Sequence, residues 1–261
     1  MAKQKSTAIA SWDQRLADLA KQSMKTMAGI GGGGNFLSIR GGILTYQGAT
    51  VPGNKMRAII IDAVLENQYY STPFDPENPS PPDCYAFGRE KNEMAPNPEH
   101  VENIQHPTCT GCPQAQFGSA DRGKGKACHA CQRIALVSEN DLDNILTAEE
   151  AYMKLPFFST LEYAAYTRQL ADTFHKPPLA FITEISVVPD PKSQFRVKFT
   201  LGEEIKADAG TYDGLWKKYE QVSKTIMFPY PKREEAPAKN KRNGRQQAAP
   251  PARAAARRSK F

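Results

Sequence analysis

The chain has 261 residues, 40% of them hydrophobic, and a formal net charge of +6. That length suits one large domain with arms, and no apolar run approaches the roughly 20 residues of a membrane-spanning helix, so no helical span is expected. The charge is uneven: Lys232 to Phe261 carries ten Lys/Arg against two Glu, or +8, which leaves the other 231 residues at −2.

Met1 to Lys5 is basic, but no apolar stretch follows, so no signal peptide is expected. Ser11 with Gln14 forms a capping box that predicts a helix to about Met27, with Trp12, Leu16, Leu19 and Met27 on one face. Residues 1–28 are thus an N-terminal arm. The glycine run within Gly29 to Gly34 lacks the lysine and Ser/Thr of a phosphate-binding loop and reads as a linker. Phe36 to Arg40 and Ile43 to Gln47 are expected strands around the Gly41-Gly42 turn. Lys55 to Tyr70 holds the strongest strand, whose unbroken apolar run predicts burial on both faces.

Residues 72–131 are poor in apolar side chains and rich in Pro, Gly and Cys. That stretch is too long for an ordinary loop and needs its own source of order. Beyond it, strands are expected at Arg133 to Val137 and Tyr152 to Pro156. A helix follows from the Ser159–Glu162 capping box to Pro177, with Tyr163, Tyr166, Leu170 and Phe174 at helical spacing. Strands at Leu179 to Val188 and Gln194 to Leu201 and a helix at Asp208 to Met227 complete the body. Strands dominate and βαβ alternation is absent, which favours a partly open antiparallel barrel in a mainly β, α+β chain. The terminal residues, 229–261, have almost nothing to bury and are expected to be disordered. They suit an electrostatic arm for a polyanion such as nucleic acid, with a solubilising role as the bland alternative.

Four of the five cysteines fall in two C-x-x-C pairs. Cys109-Thr110-Gly111-Cys112 has the spacing of a metal knuckle, and Gly111 permits its tight turn. Cys128-His129-Ala130-Cys131 follows at the spacing of a structural zinc ribbon. Thiolate donors would close a tetrahedron around Zn2+ and leave no open position for a substrate. Cys109, Cys112 and Cys128 are the firmer ligands; the fourth is Cys131 by ribbon spacing, or Cys84. Three other readings fail. Gly118 to Gly125 resembles a Walker loop but has Gly125 where a Ser/Thr is required. His100-Val101-Glu102 with Cys128 and Cys131 mimics a zinc deaminase, yet Pro107 would break its helix and Ala127 stands where proline belongs. A redox C-x-x-C lacks its βαβ context.

Pro81-Pro82-Asp83-Cys84-Tyr85-Ala86, then Cys109-Thr110-Gly111-Cys112-Pro113, Phe117-Gly118-Ser119, Gly123-Lys124-Gly125-Lys126-Ala127-Cys128 and Leu155-Pro156 resemble a family of tailed-bacteriophage single-stranded DNA-binding proteins, over about residues 36–200. The resemblance implies an OB-like barrel over residues 29–228, with a zinc-binding insertion at about 72–131. It also implies zinc on Cys84, Cys109, Cys112 and Cys128, and non-catalytic coating of single-stranded DNA in phage replication or recombination. The setting would be the cytoplasm of the bacterial host, with phage replication or recombination proteins as partners. Proteins of this kind often end in an acidic tail with a terminal Phe. Here Phe261 closes a basic tail, which shifts the expectation from partner recruitment to direct DNA contact.

Sequence-tolerant single-strand binding needs aromatic platforms for bases and cations along the backbone. Tyr46, Tyr69, Tyr70 and Phe74 are the candidate platforms. Arg40, Lys55, Arg57, Arg196 and Lys198 lie on or beside predicted strands, and Arg122, Lys124 and Lys126 form a basic loop in the insertion. The competing reading is a zinc-ribbon adaptor that docks on a replication or transcription protein.

Overall fold

The longest apolar run of the sequence forms the spine of the structure. The computed structural model describes residues 35–72, 80–121, 123–206 and 208–231. The predicted helix over 11–27, the glycine run, Phe74, Arg122 and the basic tail lie outside these residues, as does the side chain of Arg40.

Nine strands are seen among the described residues: β1 (Phe36–Arg40), β2 (Ile43–Tyr46), β3 (Ala49–Thr50), β4 (Lys55–Tyr69), β5 (Cys84–Gly88), β6 (Cys128–Ser138), β7 (Ala151–Leu155), β8 (Phe181–Asp190) and β9 (Gln194–Glu204). Two longer helices are α1 (Phe157–Phe174) and α2 (Ala209–Thr225). The chain is mainly β, and its sheet curls into half a barrel with the order β3-β2-β1-β7-β6-β4-β8-β9. All pairings are antiparallel except β1 with β7. β4 is fifteen residues long. Along one edge it pairs with β6; the other edge is shared by β8, on Lys55 to Ile59, and β5, on Leu65 to Tyr69.

A bulge at Ile60/Asp62 bends β4 and reverses the parity of its side chains. Before it, Ala58 and Ile60 face the core under α1, and Ile59 and Ile61 face the core under α2. Beyond it, Ala63 lies on the α1 side and Val64 on the α2 side. The α1 core joins Ile134, Leu136, Met153 and Leu155 to Tyr163, Tyr166 and Leu170; the α2 core joins Ala135 and Val137 to Leu215, Val222 and Ile226. The central strand is thus covered on both faces, as its apolar run predicts. On α2, a Cβ at Gly214 would stand 2.9 Å from the Ile145 Cγ2 atom, so only glycine lets the helix approach.

The two ends of the half-barrel meet at Asn54. Its Oδ1 accepts from the Leu44 amide at 2.6 Å, and its Nδ2 donates to Gly42 O at 2.7 Å and to Val187 O at 3.1 Å. One side chain therefore clips β2 to β8.

Two expectations are corrected. The helix expected to open at Ser159 begins at Phe157 with Pro156 at its cap, and the buried Ser159 hydroxyl instead accepts the Val197 amide at 3.1 Å. The cysteine-rich stretch is not wholly an insertion either, because Cys84–Gly88 and Cys128–Cys131 are strands of the main sheet.

Candidate metal centre and nucleic-acid cleft

Register decides which cysteines meet. Tyr69 of β4 is paired with Cys84 of β5 on one side and with Cys128 of β6 on the other. Residues directly across a sheet project from the same face, so both thiols flank Tyr69 on the α1 side. Cys131 is paired with Glu66. Three residues along a strand reverses the face, so Cys131 points to the α2 side, where it is buried and its thiol donates to Glu66 O at 3.3 Å.

The knuckle is laid over this face by backbone contacts. The Cys109 amide donates to Met94 O at 2.8 Å, and Gly111 turns the chain at φ 82°. Met94 is almost fully buried, and its Cγ stands 2.7 Å from where a Cβ of Gly88 would be, so the loop docks because that position is glycine. Cys84, Cys109, Cys112 and Cys128 then line a single cavity of about 20 Å³. That is room for one water-sized particle. His106 also lines it, but its Nδ1 lies 2.8 Å from Thr108 O.

Among the described residues, no group of three or more His, Cys, Asp or Glu stands in a geometry that could hold a metal ion. The four thiols share the lining of one cavity. Their chemistry fits a soft or borderline cation such as Zn2+. Burial pushes the Cys84, Cys109 and Cys128 thiols up, Cys128 to about 12, with the neighbouring cysteines adding repulsion. Without a cation these thiols hold their protons at neutral pH, and a metal would displace them.

Beside the cavity, and sharing Tyr69 and Gln114 with it, opens a cleft of about 460 Å³. Tyr69 and Tyr70, at the end of β4, and Lys126 line it. The loop carrying Lys126 is folded back by Ser119, whose Oγ accepts the Ala127 amide at 2.9 Å, and by the Gly118 amide donating to Gly125 O at 2.8 Å. Lys124 is exposed on the same loop. Phe117 is 81% exposed, and the Lys126 ammonium lies 4.7 Å from its ring centroid. Burial, with Glu66 nearby, pushes the Tyr70 phenol up to about 12, so it stays neutral and able to donate.

Other expected DNA contacts do not line this cleft, and three of the cations are already paired. Lys55 meets Glu184, Arg57 meets Glu139 and Glu203, and Arg196 meets Glu162 and Asp190. Tyr46 packs against the α1-side core, and Lys198 is exposed on β9. The cleft thus gathers Tyr69, Tyr70 and Lys126, together with Asp121 and His129, and not the strand-borne cations. Sequence reasoning did not single out Phe117 as an exposed ring, although an aromatic between polar and glycine residues in an apolar-poor stretch is a usable signal.

No helix among the described residues is long and apolar enough to cross a membrane. No protein-family model, curated protein or solved structure matches this chain.

Proposed function

We propose that this protein binds single-stranded DNA with little sequence preference and without catalysis, and that one structural zinc on Cys84, Cys109, Cys112 and Cys128 holds its binding loop in place. The observation that carries the reading is the adjacency of the four-thiol cavity to a cleft lined by Tyr69, Tyr70 and Lys126. Tyr69 belongs to both. Stacking surfaces with cations beside them are what a sequence-tolerant single-strand site requires. The zinc supplies no reaction here; it would fix the knuckle, and with it the loop that presents Phe117, Lys124 and Lys126. The curled sheet is read as an OB-like barrel, and the work as coating DNA in phage replication or recombination, on the residues that resemble that family.

The test is fluorescence anisotropy of a labelled oligo-dT against duplex DNA across a salt series, with the full chain and with a chain ending at Tyr230. Preferential single-strand binding by the shortened chain, falling with salt, supports the reading. Equal binding to both DNAs, or none after shortening, overturns it and leaves a zinc-bearing adaptor with a nonspecific tail.

A further inference from the structure

The four-thiol cavity has a fifth donor that the zinc assignment leaves unused. His106 lines it together with Cys84, Cys109, Cys112 and Cys128. The ring's Nδ1 lies 2.8 Å from Thr108 O and 3.3 Å from the Thr108 amide nitrogen. The carbonyl makes the shorter contact, so Nδ1 carries the proton and donates, and Nε2 keeps its lone pair. An imidazole whose other nitrogen is held by a backbone carbonyl is in the state that zinc-ligating histidines adopt.

The chain brings His106 to Cys84 in particular. The Gln105 amide donates to the Cys84 thiol, which puts the next residue beside that sulfur. Cys84 opens β5, a strand of five residues that pairs with β4 and with no other described strand. The other thiols are set in firmer surroundings. Cys109 and Cys112 share one knuckle, closed by the Cys112 amide donating to Cys109 O at 3.4 Å, and Cys128 belongs to the eleven-residue β6. Charge points the same way. No Lys or Arg among the described residues lines the cavity. Four thiolates on a dication would leave two negative charges there without a cationic partner. Three thiolates and a neutral imidazole would leave one, and burying less charge costs less.

We propose that His106 is a reserve ligand of the metal centre, its Nε2 able to take the place of the Cys84 thiolate while Cys109, Cys112 and Cys128 stay bound. This rests on the zinc reading above. In the exchange Cys84 regains a proton from solvent, and the donor set goes from four sulfurs to three sulfurs and one nitrogen. β5 can then part from the ion while the knuckle stays tied to β6.

The test loads the full chain and the variants His106→Ala, Cys84→Ala and Cys84→Ala/His106→Ala with Zn2+ or Co2+. Zinc per chain is read by elemental analysis, affinity by competition with a chromophoric chelator, and the donor set by the absorption of the Co2+ form. His106→Ala is expected to keep one zinc per chain and the spectrum of four thiolates. Cys84→Ala is expected to keep one zinc with weaker sulfur-to-cobalt charge transfer, and the double variant to bind zinc at least about tenfold more weakly still. Equal affinity in the single and double variants would mean that water completes the site, and overturns the proposal. Cys84→Ser repeats the comparison with a smaller change; if neither Cys84 variant folds with zinc bound, His106 is no stand-in. In both cases zinc on the unaltered chain leaves the four-thiol reading in place. If the unaltered chain binds no zinc, that reading and the reserve ligand fall together.

Discussion

The sheet body and the cysteine-bearing stretch are ordered by different means. In the body, Ile59, Ile60, Ile134, Leu136, Met153 and Leu155 are all at most 1% exposed, and burial alone accounts for order. Between Arg89 and Ala127 the buried hydrophobic side chains among the described residues are Met94, Val101 and Cys112. So few cannot offset the entropy of fixing nearly forty residues, at about 1–2 kcal/mol each for the backbone alone. Strands supply two thiols, Cys84 and Cys128, and the loop supplies two, Cys109 and Cys112. A cation shared among them would tie the weakly ordered region to the strongly ordered one.

The largest expected effect breaks that tie. Structural zinc binding is worth on the order of 10–16 kcal/mol in apparent free energy. Cys109→Ser is expected to release the metal and to lose hydrogen-exchange protection across 89–127 while β4, β6 and β8 keep theirs. Cys131→Ser is expected to retain one zinc per chain, measured by elemental analysis. Full zinc occupancy in Cys109→Ser would defeat the assignment. Next comes Glu66→Gln, which strips the buried Arg133 of its charged partner and is expected to lower stability by about 3–5 kcal/mol in urea, with zinc content unchanged. Leu155→Ala, in the α1-side core, is expected to cost about 2–5 kcal/mol, again without metal loss. Tyr70→Ala is expected to weaken oligo-dT binding by about 1–3 kcal/mol; unchanged affinity would make that ring a wall and not a platform.

The smallest effect is a pH dependence. Hydrogen bonds from Ser193, with Arg196 close by, hold the Asp190 carboxyl below its ordinary value of 3.8. A depressed folded value gives stability that is present above the unfolded value and lost as pH falls through the folded one. Asp190→Asn is therefore expected to lower the urea midpoint slightly at pH 7 and to close that gap below about pH 3.8.

Most strands were legible because their signals are local. The apolar run of β4, the alternation of Phe195, Val197 and Phe199, and the turn glycines placed their elements to within a few residues. β5 was not legible: Cys84–Gly88 has no long apolar run and becomes a strand only because β4 offers it an edge. The cysteine cluster was half legible. Spacing marked the two C-x-x-C pairs and left the fourth position open between Cys131 and Cys84; seeing that Cys131 turns away from Cys128 needed the knowledge that both sit on a strand, where a gap of three reverses the face. The Glu66–Arg133 pair was invisible, since its members are 67 residues apart and each reads as an ordinary surface charge.

Asn54 has a consequence for the order of folding. Its amide joins Gly42 and Leu44 to Val187, which lies 133 residues beyond Asn54 itself. The entropy of closing so long a loop must be met before that bond contributes anything. The seam between β2 and β8 is thus expected to form after the hairpins on either side. Interactions absent from the folding transition state govern how fast a protein comes apart. Asn54→Ala should therefore leave the refolding rate nearly unchanged and speed unfolding, which makes one side-chain amide a timekeeper for the native lifetime of the curled sheet.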